Sequence, residues 1–368
     1  MGRSIGPAQM EAIARGAAVL GSGGGGDPYI GCLLAQLAMS QHGPVELIGL
    51  EELDDADLII PVAGMGSPAV GIEKLEQGEE LVRAFQTLER HLGRKARAVM
   101  SIEAGGGNST APFLVATALR LPLVDCDAMG RAFPELQMVT CSLYGISATP
   151  MAMADEWGNS LILNCVSNAW TERLARAATI EMGCISHTAL YPMTGRQLKA
   201  AAVPGTITLC ERIGLAITSA RHEGRSAVAA VAEMTKGFAL FTGKVADVRR
   251  ATVTGFARGE AQLEGIGASA GQVCQVLFQN EFLVARTPER VLCSTPDLIV
   301  MLDGETGQPV TTEALRYGYR VSLLGLPCND RWRTAGGLAL AGPRYFGYDF
   351  DYLPVERANS AAPDTERG

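Results

Sequence analysis

Residues 98–127 read AVMSIEAGGGNSTAPFLVATALRLPLVDCD. An apolar run of strand length, 98–102, ends at Glu103 and meets three glycines and an Asn-Ser-Thr helix start. A helix is expected over 112–119, and a second apolar run then ends in Asp125-Cys126-Asp127. Strand, glycine loop, helix and strand again predict an α/β domain with a mostly parallel sheet flanked by helices. In such sheets ligands gather beyond the carboxyl ends of the strands, where these loops lie.

Working outward, strands are expected over 45–50 and 57–62, and helices over 9–20, 29–40 and 72–92. Between the first two helices lies Gly21-Ser22-Gly23-Gly24-Gly25-Gly26-Asp27-Pro28, with Pro28 placed to open a helix. Beyond about residue 170 the texture changes. Helices over 171–182 and 194–201 lead into short β-type runs bounded by Gly, Pro or Asp: 237–242, 244–248, 251–256, 272–277, 281–286 and 298–302. The division expected is an α/β glycine-loop domain over 1–170, a β-rich, sandwich- or barrel-like domain over 171–356, and a flexible polar tail over 357–368.

At 368 residues, 47% of them apolar, the chain can bury two cores. It carries 39 acidic against 31 basic residues with no basic run, which argues against nucleic acid as a partner. No uninterrupted apolar run of about 18 residues is present, so no membrane partner is expected. The nine scattered cysteines fit buried thiols in a reducing, cytoplasmic setting. With four histidines and no CxxC or HxxxH pair, no cofactor is evident, and a divalent metal would need ligands from distant loops.

Three places carry candidate chemistry. In the first glycine loop, Gly24, Gly25 and Asp27 could face an anionic group, although no lysine completes a GxxxxGK[ST] loop and no clear strand precedes it. The second place is 103–110. Capping explains one of Asn108, Ser109 and Thr110, but not Glu103 or the triple glycine Gly105, Gly106 and Gly107. The third is Asp125 and Asp127, two acids at the same expected rim as Glu103, with Cys126 read as an inert thiol and Arg131 and Glu135 as groups that pair together or orient those acids. His187, near the domain junction, is a further candidate base or ligand. Late segments 325–330 and 342–349 either complete a pocket or are plain turns.

GSGGGGDPYIG at 21–31, EAGGGNS at 103–109, LVDCDAMGRAFPELQM at 123–138 and LAGPRYFGYDFDYLP at 340–354, in this order, resemble the S-methyl thiohydantoin desulfurase family, which is associated with hydantoinase- and oxoprolinase-type proteins. The resemblance spans nearly the whole chain and implies an N-terminal α/β and a C-terminal β-rich domain. It implies a hydrolase that releases methanethiol from an S-methyl thiohydantoin and leaves a hydantoin. Glu103, Asp125 or Asp127 is then the candidate general base, with Asn108 and the amides of residues 105–107 holding the ring. Two other readings keep the loops: hydrolysis of another cyclic imide or amide, and a non-catalytic ligand-binding subunit of a hydantoinase-like assembly. A homo-oligomer acting on a small cyclic molecule is the expected working form.

Overall fold

The computed structural model describes residues 2–66, 70, 78–253 and 255–360. Its first strands are β1 (Arg3–Ile5), β2 (Val45–Ile48), β3 (Leu58–Gly66), β4 (Ala98–Ser101) and β5 (Leu123–Val124). β2, β5, β4 and β3 lie side by side and all pairs are parallel. Their apolar runs do not alternate because helices cover both faces, and β4 is buried throughout. The chain continues through β6 (Cys126–Asp127), β7 (Met151–Ala154), β8 (Ser160–Leu163), β9 (Ile185–Ala189), β10 (Met193–Thr194) and β11 (Val203–Pro204).

Antiparallel strands flank that parallel centre: β1 on one edge, and β9, β7 and β8 on the other, giving the order β1-β2-β5-β4-β3-β9-β7-β8, with β10 also on β3. β6 and β11 form a separate two-stranded ladder. The register of β9 sets Gly64 opposite His187 and so carries that histidine to the carboxyl end of β3. The helix Glu79–Leu92 packs its apolar stripe, including Leu81, Phe85 and Leu88, into the core. Residues 71–77, where the expected helix would begin, and Ser67 and Pro68 lie outside the described residues, as does the tail beyond 360. Arg357 belongs to a short helix, Val355–Asn359.

The C-terminal body is a single curled antiparallel sheet, half of a barrel. It comprises β12 (Phe238–Val253), β13 (Phe256–Gly265), β14 (Val273–Gln279), β15 (Glu281–Arg286), β16 (Val291–Ser294), β17 (Leu298–Asp303) and β18 (Arg320–Leu326), in the order β16-β15-β14-β13-β12-β18-β17. Alternation sends Phe241 and Val245 of β12, and Ala261 and Leu263 of β13, into a second core while Thr242, Lys244 and Gln262 stay wetter.

The first glycine loop stitches the two bodies together. Ser22 exchanges hydrogen bonds with Ile299, its hydroxyl donating to the carbonyl at 2.9 Å and accepting from the amide at 3.0 Å. The Phe282 amide donates to the Ser22 carbonyl, and the Thr312 amide to that of Gly23. Gly23 has φ +88°, and a Cβ there would stand 2.4 Å from the Phe282 ring, so glycine is required by both conformation and space. No helix among the described residues is long and apolar enough to cross a membrane.

Candidate active site

A cavity of about 410 Å³ opens where β3, β9, the two glycine loops and the tip of the β14–β15 hairpin meet. Glu103 lies in its wall, 5% exposed, at the end of β4. Asn108 donates to Glu103 Oε1 at 2.6 Å and accepts from the Gly64 amide at 2.6 Å, which ties the carboxyl to β3. Burial pushes Glu103 up to about 8, against the Asn108 side chain and the Phe133 amide, which favour its anion. His187, 6% exposed, lines the same cavity, as do Gly25, Asp27 and Gly107.

Other candidates are elsewhere. Asp125, expected beside Glu103, accepts from the Ile207 and Thr208 amides at 3.0 and 3.1 Å and caps the helix Thr206–His222. It is a cap because the chain leaves β5 at this residue to enter the separate β6–β11 ladder, and the Gly205 amide on its carbonyl brings the start of that helix against it. Asp127 is fully buried beneath the loops, its Oδ2 accepting from the Ala104, Met129 and Gly130 amides at 2.6, 3.1 and 2.7 Å. It braces the site without lining it. Desolvation raises it to about 7 against those three bonds.

Gly24, Gly105, Gly106 and Ser109 do not line the cavity either. Gly105 and Gly106 give way to backbone: a Cβ on Gly106 would stand 2.4 Å from Gly25. The Gly107 amide donates to the carbonyls of Gly25 and Gly26, so it is spent on binding the two glycine loops together and is not turned to a ligand. Asp27 accepts from the Tyr29 amide at the start of the helix Tyr29–His42. Burial raises Cys126 well above its ordinary value, which makes it an inert thiol. Segments 325–330 and 342–349 contribute nothing to the cavity wall.

Arg131 does not pair with Glu135. It is fully buried, donating to the carbonyls of Ala132, Pro296 and Asp297 with its guanidinium 4.3 Å from the Phe133 ring centre. Glu135 sits in the cavity wall, accepting from Gln137 and Tyr345. Two residues that carry weight here escape sequence reading: Glu281 and Asn280, which enter the cavity wall from a hairpin some 170 residues downstream. Apolar side chains of Ile30, Leu81, Leu114, Leu136 and Ile185 line much of the wall, and Thr110, Glu172, Arg176 and Thr188 also reach it. Among the described residues no three His, Cys, Asp or Glu converge as a metal-binding set.

Two predictions follow from these placements. Asp125→Ala should cost about 1–2 kcal/mol of stability through the lost cap, as thermal unfolding measures. Glu103 and Asp127 bind more protons folded than unfolded, Glu103 from 4.5 to about 8 and Asp127 from 3.8 to about 7. Their contribution is complete below the unfolded values and lost as pH rises through the folded ones, by up to about 1.4 kcal/mol per pH unit for each group. The melting temperature should therefore fall across that window, and Glu103→Gln should make the fall shallower.

A crystal structure of a protein from Chromobacterium violaceum shares this fold, with a TM-score of 0.81 over 96% of this chain and 100% of that one, at 24% identity. No curated protein matches. Residues 8–165 match the S-Me-THD-like N-terminal domain and residues 166–355 the S-Me-THD-like C-terminal domain. Since these two matches run end to end across the glycine-loop body and the curled sheet, the chain belongs to the S-Me-THD-like family.

Proposed function

We propose that the chain is a hydrolase that removes methanethiol from an S-methyl thiohydantoin and leaves a hydantoin, with Glu103 as general base. The observation that carries this reading is a buried carboxyl in the wall of a small cavity, raised to about 8 and oriented by Asn108. A base poised near the working pH removes the proton of an attacking water efficiently. The ring carbon bearing sulfur is electrophilic because a ring C=N bond and the sulfur both draw charge from it. Water adds there, and collapse of the tetrahedral adduct expels the thiol.

The cavity suits a ring of this size, with Glu103, Asn108, His187 and Glu281 among its polar groups and Ile30, Leu81, Leu114, Leu136 and Ile185 among its apolar ones. Water is kept from the carboxyl except where substrate and nucleophile enter, so the dielectric stays low and the base stays strong. Incubating the purified chain with S-methyl thiohydantoin, following free thiol with a chromogenic disulfide and hydantoin by chromatography, tests the reading. Stoichiometric thiol and hydantoin, insensitive to chelators, are expected. Bound but unreacted substrate would instead favour a ligand-binding subunit, and thiol release that stops on chelation would favour a metal-assisted hydrolase.

A further inference from the structure

A carboxylate that takes a proton from water cannot at the same moment give one to the ring, so the reaction needs a separate acid. Glu281 has the position for it. It stands at the tip of the β14–β15 hairpin, 2% exposed, in the wall of the cavity that Glu103 lines. Its Oε1 accepts from the Gly25 amide at 3.2 Å, while Oε2 is buried with no hydrogen-bond partner. A buried carboxyl oxygen left without a partner is costly unless it carries a proton or meets a ligand. Glycine in the facing loop makes room for it: a Cβ on Gly24 would stand 2.1 Å from Oε1 and displace this side chain.

We propose that Glu281 is the catalytic acid of this cavity, sharing a single proton with Glu103 across the junction of the two bodies. The proposal rests on the hydrolytic reading above. The charge count supports it. Besides the two carboxyls, the group that acts electrostatically on both is the buried Arg131 guanidinium, whose Nη2 has no hydrogen-bond partner. One carboxylate, one carboxylic acid and one guanidinium are neutral together, whereas two carboxylates leave an excess negative charge among buried groups. Asp127 faces Glu103 from below, and adds to the pressure against a second anion. Elsewhere on the cavity wall are Asp27, Glu135, His187, and Glu172 ion-paired with Arg176. Burial raises Glu281 well above the ordinary carboxylate range, with the Glu103 charge adding to it. Glu103 Oε1 accepts from the Asn108 side chain, which favours its anion, whereas Glu281 Oε2 meets no donor, so the shared proton belongs on Glu281.

The cycle balances. Water loses a proton to the Glu103 carboxylate as its oxygen bonds to the ring carbon. The electron pair of the C=N bond moves to nitrogen, which takes the proton of Glu281. The carbon–sulfur bond then breaks with its pair on sulfur, the new hydroxyl returns its proton to Glu281 as the carbonyl forms, and methanethiolate takes the proton held by Glu103. Both residues end as they began.

The test compares wild type with Glu281→Gln, Glu281→Asp and Glu103→Gln by thermal unfolding, by the protonated-carboxyl infrared band without substrate, and by thiol release. Glu281→Gln should lower kcat about a hundredfold or more with KM nearly unchanged, and remove the alkaline fall of the pH profile. The band that persists after Glu103 has ionised should vanish in Glu281→Gln and survive in Glu103→Gln. A kcat within threefold of wild type, or a persistent band in Glu281→Gln, overturns the proposal. If Glu281→Gln does not fold, Glu281→Asp decides: a kcat about tenfold lower with the band retained supports the proposal, and an unchanged kcat overturns it. Wild type that releases no thiol would sink the reaction, while the band would still decide whether Glu281 holds the proton.

Discussion

Glu103→Gln is expected to reduce thiol release by about a thousandfold while leaving the folded state intact. Glutamine has the same shape, and its side-chain oxygen can still accept from the Asn108 amide that now bonds Glu103 Oε1 at 2.6 Å. What disappears is the ability to take a proton. General-base catalysis is worth about a hundred- to ten-thousandfold, and the loss should lie inside that range. In wild type the base must be ionised, so kcat/KM should rise with pH through about 8, the value to which burial raises Glu103. That rising limb should be missing from the residual activity of the variant. A rate within tenfold of wild type, or an unchanged limb, would remove Glu103 from the reaction.

Gly16→Ala is expected to cost about 3 kcal/mol, although alanine is the better helix former by about 1 kcal/mol. Gly16 lies in the helix Met10–Leu20, and a Cβ there would stand 1.8 Å from the Cys210 carbonyl oxygen of the helix Thr206–His222. The reverse contact is equally close: a Cβ on Gly214 would stand 2.0 Å from the Ala12 carbonyl oxygen. The two helices therefore touch backbone to backbone at two points, and one methyl group must push them apart. Once separated, they have room for the second methyl, so Gly16→Ala with Gly214→Ala should cost clearly less than the sum of the single variants in denaturant unfolding. The helix Met10–Leu20 runs directly into Gly21, so its displacement should also disturb the loop that seats Glu281, and turnover should fall along with stability.

The readable parts of this protein are those decided within a few residues. The run 98–102, the glycines after it and the helix start at Asn108 announce a strand-to-helix turn with a carboxyl at the strand end, and Glu103 is found in the cavity wall. Asp125 and Asp127 have the same local signature, yet one caps a helix some 80 residues later and the other serves three buried amides. Which side of an extended segment meets solvent, a helix or a cavity depends on what docks there, and this docking is absent from the segment itself. Gln279-Asn280-Glu281 illustrates the converse. Asn280 adopts φ +55° at a tight hairpin of polar residues, and the turn is buried because Ala257 and Thr312 bond Asn280 while Ser22 and Gly25 lie against the residues after it.

The sequence by itself determined the α/β character and parallel centre of the first sheet, the β-rich character of the second half and the presence of one acid beside a glycine loop, because hydrophobic period and glycine punctuation are local properties. Tertiary structure alone decided which acids share a cavity. It did so by laying the loop 21–26 between the Gly105–Gly107 turn and the β14–β15 hairpin, where the bare backbone of Gly23 to Gly26 lets two glutamates from distant parts of the chain be buried around one small volume.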